Sequence, residues 1–294
     1  LLVIISCYAS CATAFKSSIS DINPGMIKEM LSCSSYSEGC LVPPVRLRKV
    51  NFSYYDFDMN INDSGTIIVM DAVAEHVEQI FKELYQIKFP IHKAVAIEAY
   101  GGDDVLSLED NNSSSFNCRQ ITGSSSIISI HSYGLAIDIN PIQNPYVDVE
   151  GNHEQQGLVV LPKEGRKYLN RTKIRAGMAE QVEHIFKKHG FTIWGGNWNT
   201  PIDWQHFQPS RLVAQILSQM DSTDAKEIFN LYAGNPYLFN NATFNQEEFI
   251  DIYKKDKLTF MKIFRNSFKE LSKLEAKLVL KNLPSKIDEA TKLS

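Results

Sequence analysis

The stretch Ser129-Ile130-His131-Ser132-Tyr133-Gly134-Leu135-Ala136-Ile137-Asp138-Ile139-Asn140 constrains this chain most, because it sets a carboxylate inside an apolar strand. In an extended backbone alternate side chains share a face. Leu135, Ile137 and Ile139 therefore fall on one side, and Ala136, Asp138 and Asn140 on the other. A buried carboxylate is costly unless it is paired or bound to a cation. Whatever fold forms must bring Asp138 a partner. His131 lies just ahead of the strand, and Gly134 frees the backbone to turn between them. A cation shared by His131 and Asp138 would satisfy both. The plainer alternative is a salt bridge for Asp138 and a surface loop for His131.

A second segment tips the balance. It runs Trp194-Gly195-Gly196-Asn197-Trp198, then Pro201-Ile202-Asp203-Trp204-Gln205-His206-Phe207. Catalytic zinc takes three protein ligands and keeps a fourth position for water or substrate. His131, Asp138 and His206 make such a set for one zinc ion. Asp203 is then left over beside the metal, where a general base must stand to take a proton from an activated water. Arg119, in Phe116-Asn117-Cys118-Arg119, supplies a guanidinium able to stabilise a developing oxyanion, or else a structural salt bridge. His76, His92, His153, His184 and His189 fit no ligand pattern.

The rest of the chain sets the frame. Its 294 residues allow one large domain or a domain with an appendage. A net charge of −4 carries no basic surplus, so nucleic acid is not an expected partner. Leu1–Ile5 followed by Ala12-Thr13-Ala14 reads as the end of a secretory signal with its cleavage site, residues 1–14. That implies export to the periplasm or cell envelope. A lipid anchor on Cys7 is the lesser option. No later stretch reaches the roughly 18 apolar residues of a membrane span. Cleavage after Ala14 leaves Cys33, Cys40 and Cys118, an odd number. One bridge is expected in an oxidising compartment, and Cys33–Cys40 and Cys40–Cys118 both remain open on spacing.

Residues 15–39 read as a loose lead-in. Residues 51–70 read as two strands around the turn Asn62-Asp63-Ser64-Gly65. Asp71 to Lys88 has helical periodicity with Asp71 as N-cap, and Lys93 to Ala99 reads as a short strand. Gly101–Ser126 and Asn140–Lys173 read as loops. Met178–Lys188 reads as a helix and Phe191–Trp194 as a strand. From Arg211 to Ser294 the pattern is helical and amphipathic, with lysine-bearing polar faces. This extension has no assigned partner.

The pattern S-x-H-x-x-G-x-A-x-D at Ser129–Asp138, with W-G-G-x-W and D-x-x-H-F ending at Phe207, resembles the M15 zinc peptidases. These include D-alanyl-D-alanine carboxypeptidases, D-Ala-D-Ala dipeptidases and L-alanyl-D-glutamate endopeptidases. The resemblance covers residues 40–210. It implies an α+β fold with an antiparallel sheet and packed helices, and zinc on His131, Asp138 and His206. It implies Asp203 as catalytic acid/base, where some similar sequences carry Glu, and Arg119 on the substrate carbonyl. Ser129 and Trp204 match positions lining the substrate pocket, and a Cys40–Cys118 bridge is implied as well. The substrates it implies are peptidoglycan stem peptides cut next to a D-amino acid, by D,D-carboxypeptidase or L-Ala-D-Glu endopeptidase action. Dipeptidase action is an alternative. So is a non-catalytic zinc-binding interaction module of the same fold.

Overall fold

A computed structural model describes residues 14–121, 126–150, 157–235 and 245–268. Residues 1–13 of the expected signal segment and His153 lie outside the described residues, as does the chain from 269 onward. The architecture is α+β, with helices packed on small antiparallel sheets.

Residues 15–39 are not a loose lead-in. Ser17–Asp21 forms β1, and Pro24–Ser32 forms α1. Asn23 accepts the Met26 amide and Pro24 opens the helix, so a start signal was present in the sequence. Ile22 and Met30 are buried in the main core and anchor this segment.

Leu47–Tyr55 forms β2 and Ile61–Met70 forms β3; with β1 they make one sheet in the order β1-β2-β3. The hairpin turn lies at Asp56–Asn60, not at Asn62–Gly65. Asp56 Oδ1 accepts the amides of Asp58 and Asn60, an Asx-type closure. Gly65 sits within β3 opposite Phe52, whose ring fills the space a side chain would need. The Asn-Asp-Ser-Gly signal thus marks close packing rather than a turn.

Ala74–Gln86 forms α2, entered through a 3₁₀ turn at Asp71–Val73. Its buried face, Val77, Ile80, Phe81 and Leu84, lies against the sheet, with Phe81 stacked on Phe52 at 3.6 Å between centroids. Asp71 does not cap this helix. Its carboxylate takes two hydrogen bonds from Arg46, at 2.6 and 2.9 Å, and both residues are buried. A buried charge needs its counter-charge more than a helix end needs its cap.

Lys93–Ala94 forms β4, shorter than the strand expected over 93–99, because the chain turns into a 3₁₀ helix at Ile97–Tyr100. The polar stretch 101–126, expected as a loop, holds Asp104–Glu109 as α3 and Asn112–Ser113 as β5, which pairs with β4. Ile137–Asp138 forms β6. The stretch 140–173, also expected as a loop, contains the antiparallel pair Tyr146–Glu150, β7, and Gly157–Leu161, β8. Val160 is the buried residue of β8, so this pair offers little apolar periodicity to read.

Glu183–Lys188 forms α4, Ile193–Trp194 forms β9, Ile202–Asp203 forms β10 and His206–Gln208 forms β11. β10 joins β7 and β8, while β11 lies between β6 and β9.

The C-terminal part is helical, as its pattern indicates: Arg211–Ser218 is α5, Ser222–Gly234 is α6, Gln246–Lys255 is α7 and Lys257–Phe268 is α8. These helices share the main core through Val213, Ile216, Phe229, Phe249 and Phe264. α5 is held at both ends. Arg211 at its start donates to the Ile128 carbonyl at 2.8 Å. At its far end Arg46 donates to the carbonyls of Leu217 and Met220. A guanidinium there satisfies orphan carbonyls and complements the negative end of the helix. Cys40 and Cys118 are bridged, and Cys33 is free.

Candidate metal centre

His131 sits in a one-turn 3₁₀ helix, Ile130–Tyr133. The Ser129 hydroxyl accepts the His131 amide at 3.2 Å and so starts that turn. Gly134 ends it at φ +65°, a left-handed conformation that a side chain would resist. Asp138 ends β6, and antiparallel pairing with β11 puts His206 directly opposite Asp138. Phe207 follows in the other direction. It is fully buried between Phe186 at 4.0 Å and Trp194 at 6.1 Å, which pins the register of β11.

The three side chains converge. His131 Nε2 lies 3.2 Å from Asp138 Oδ2 and 3.2 Å from His206 Nδ1. His206 Nδ1 lies 3.0 Å from Asp138 Oδ1. All the donor atoms fall within 4.8 Å of one another. The residues are only 4%, 6% and 6% exposed for His131, Asp138 and His206. On the outward side of each ring stands an oxygen. His131 Nδ1 donates to the Ser115 carbonyl, and His206 Nε2 donates to Gln208 Oε1 at 2.7 Å. Those bonds place the proton of each neutral imidazole outside the cluster, leaving Nε2 of His131 and Nδ1 of His206 to face inward with lone pairs. Such outer-ring bonds orient the histidines of metal sites.

Electrostatics fit the same picture. Burial alone would push the Asp138 carboxyl up, but the charge and hydrogen bonds of His131 and His206 outweigh it and hold it well below the usual range. Burial disfavours a charged His206, yet the Asp138 hydrogen bond and the charges of Asp138 and Asp203 raise its pKa. Two carboxylates here want positive charge. A divalent cation would supply it. Two nitrogens and one carboxylate oxygen suit zinc best among common divalent ions.

Asp203 belongs to the neighbouring sheet, opposite Tyr146. Burial first, and then the charge of Asp138, lift its carboxyl to about 6; the two histidines and Gln205 pull the other way. Its Oδ1 is buried without a hydrogen-bond partner. The residue as a whole is half-buried and Gln205 reaches its carboxylate, but a buried oxygen left without a partner costs stability. Gly195 makes its placement feasible: a Cβ there would lie 2.4 Å from the Asp203 carbonyl oxygen.

The remaining expected residues are distributed as follows. Arg119 pairs through Nε with Asp104, while Nη1 donates to the Gln120 carbonyl at 3.0 Å. Its amide donates to Ser132 Oγ, which ties it to the turn bearing His131. Ser129 caps that turn, as described. Trp204 lies under the Arg171 guanidinium at 4.8 Å, and its carbonyl accepts Trp194 Nε1 at 2.7 Å. Sequence reasoning gave no role to Gln208 or Trp198, though Trp198 lies 5.5 Å from the His206 ring. The W-G-G-x-W pattern was the available signal for Trp198. His76 and His189 pack ring edge to ring face at 5.8 Å, away from any ligand set, and bond to Asn230 and Glu83.

An α+β frame carrying a buried His-Asp-His cluster defines a candidate divalent-metal centre. Residues 122–209 match the family model described as D-alanyl-D-alanine carboxypeptidase, among the M15 peptidases, and this match identifies the segment as an M15-family peptidase domain. The segment contains His131, Asp138, Asp203 and His206. No curated protein and no solved structure matches the chain.

Proposed function

We propose that this protein is a zinc peptidase that hydrolyses peptidoglycan stem peptides next to a D-amino acid, as a D,D-carboxypeptidase or an L-Ala-D-Glu endopeptidase. The observation that carries this reading is the convergence of His131, Asp138 and His206, with Asp203 within reach of their charges and its Oδ1 buried without a hydrogen-bond partner. The family match supports the substrate class. A zinc ion held by the three ligands would supply Lewis acidity, lowering the pKa of water to about 7 and polarising a carbonyl.

The chain's own groups do the rest. Asp203 takes a proton from the attacking water and later delivers it to the leaving amine. A carboxyl lifted to about 6 is suited to both tasks near neutral pH, because it is mostly ionised there yet still basic. Gln208 and the Ser115 carbonyl stand at the outer ring nitrogens of His206 and His131, which orients both imidazoles with their other nitrogens toward the metal position. Arg119 faces the developing oxyanion in this reading, with Asp104 fixing its guanidinium. Export to the cell envelope follows from the substrate. Among the described residues no helix is long and apolar enough to cross a membrane.

Asp203→Ala tests the assignment. Zinc content, read by atomic absorption, should stay near one per chain, while turnover of defined muropeptides falls about 10²–10⁴-fold, the usual share of a general base. Normal hydrolysis by that variant would remove Asp203 from the mechanism.

A further inference from the structure

Two cavities meet at Leu41. One, of about 290 Å³, lies beside the Cys40–Cys118 bridge and is walled by Arg119 and Ser132. The other, of about 380 Å³, opens between the peptidase unit and the C-terminal helices. Tyr133 contributes to its wall and belongs to the same short turn as His131. The second cavity therefore backs onto the metal-bearing turn, and the first continues it past Ser132 toward Arg119.

Its lining selects a kind of ligand. Gln215 and Gln219 on α5 each present a carboxamide, able to donate and accept at once. Glu247 and Asp251 on α7 present carboxylates, which accept from hydroxyls. Lys254 completes that rim and donates to Gln219 Oε1 at 3.1 Å. Two carboxylates against one ammonium leave the cavity with net negative charge. It would repel a phosphate or a peptide carboxylate. A neutral molecule rich in hydroxyl and amide groups fits best, with Leu41 and Ile250 offering apolar contact to C–H faces.

We infer that this cavity is a subsite for a neutral, acetamido-bearing sugar, so that the C-terminal helices let the chain engage a stem peptide together with its glycan. The inference rests on the stem-peptide reading above and adds to it. It also gives residues outside the matched family segment a task, since Gln215, Gln219, Glu247 and Asp251 all lie beyond residue 209.

Two measurements on the zinc-loaded full chain test it. The first compares kcat/KM for a free stem pentapeptide and for the same peptide carried on the GlcNAc-MurNAc disaccharide. The sugar-bearing substrate should win at least tenfold, through KM. The double variant Gln219→Leu, Asp251→Leu should erase that preference and leave the free peptide unchanged; both positions are exposed, and Gln219→Leu alone serves if the double variant does not fold. The second titrates N,N′-diacetylchitobiose into ¹⁵N-labelled protein and follows the side-chain amides of Gln215 and Gln219, which should shift. Equal kcat/KM for both substrates, or a preference that survives in the variant, overturns the subsite. So does a titration without shifts. Failure of the wild type to cut either substrate would instead sink the stem-peptide reading, and the chitobiose titration would still report on the cavity by itself.

Discussion

Replacing Asp203 with asparagine should make the metal-free protein more stable while disabling it. The carboxyl is lifted from 3.8 to about 6, by burial first and then by the charge of Asp138. A carboxyl whose pKa is raised on folding favours the folded state only while protonated. Its contribution is fully present below the unfolded value near 4 and is lost as pH rises through about 6. Above that, the native state carries a poorly solvated charge. The difference corresponds to about 3 kcal/mol, at roughly 1.4 kcal/mol for each tenfold change. Asp203→Asn removes this burden at pH 8 and changes little at pH 4. At about 2 °C for each kcal/mol in a chain of this size, the gain in Tm is on the order of 5 °C. Thermal melts of wild type and variant, each stripped with a chelator, at pH 4, 6 and 8, would show a gap that opens with pH. Zinc should narrow the gap, because a nearby cation stabilises the ionised carboxylate. A variant that melts lower than wild type at pH 8, or by a margin independent of pH, would refute the claim that folding disfavours the ionised Asp203 carboxylate.

Three further outcomes are expected. Gln208→Ala should weaken zinc binding about 10–100-fold, measured by chelator competition, because His206 loses the acceptor that fixes its tautomer. Arg46→Ala should cost about 3–5 kcal/mol in denaturant melts, since it strands the buried Asp71 carboxylate and frees the end of α5; a change under 1 kcal/mol would mean that the C-terminal helices are not clamped there. Gly195→Ala should lower kcat with zinc content retained, because the added methyl would meet the Asp203 carbonyl oxygen at 2.4 Å and displace the base; unchanged turnover would show that the position of Asp203 tolerates a shift.

The sequence by itself marked the residues of the candidate centre. Asp138 in an apolar strand demanded a partner, and the D-x-x-H-F segment offered His206; that the two residues meet across paired strands, with Phe207 buried in the core, was decided by the fold. Helical periodicity also marked α2 and the helical character of the C-terminal part, because those signals are local. Tertiary structure decided what depends on distant neighbours. Asp71 looked like a helix cap until Arg46 claimed it. Asn62–Gly65 looked like a turn until Phe52 required the glycine for packing. The β7–β8 pair was hidden because few of its side chains face a core. Gln208 gained its role only because β11 directs it at the outer nitrogen of His206. The ion pair of Arg119 with Asp104 likewise needed the folded chain, since hydrogen bonds and charges act over a few ångströms of space and have no fixed separation in sequence.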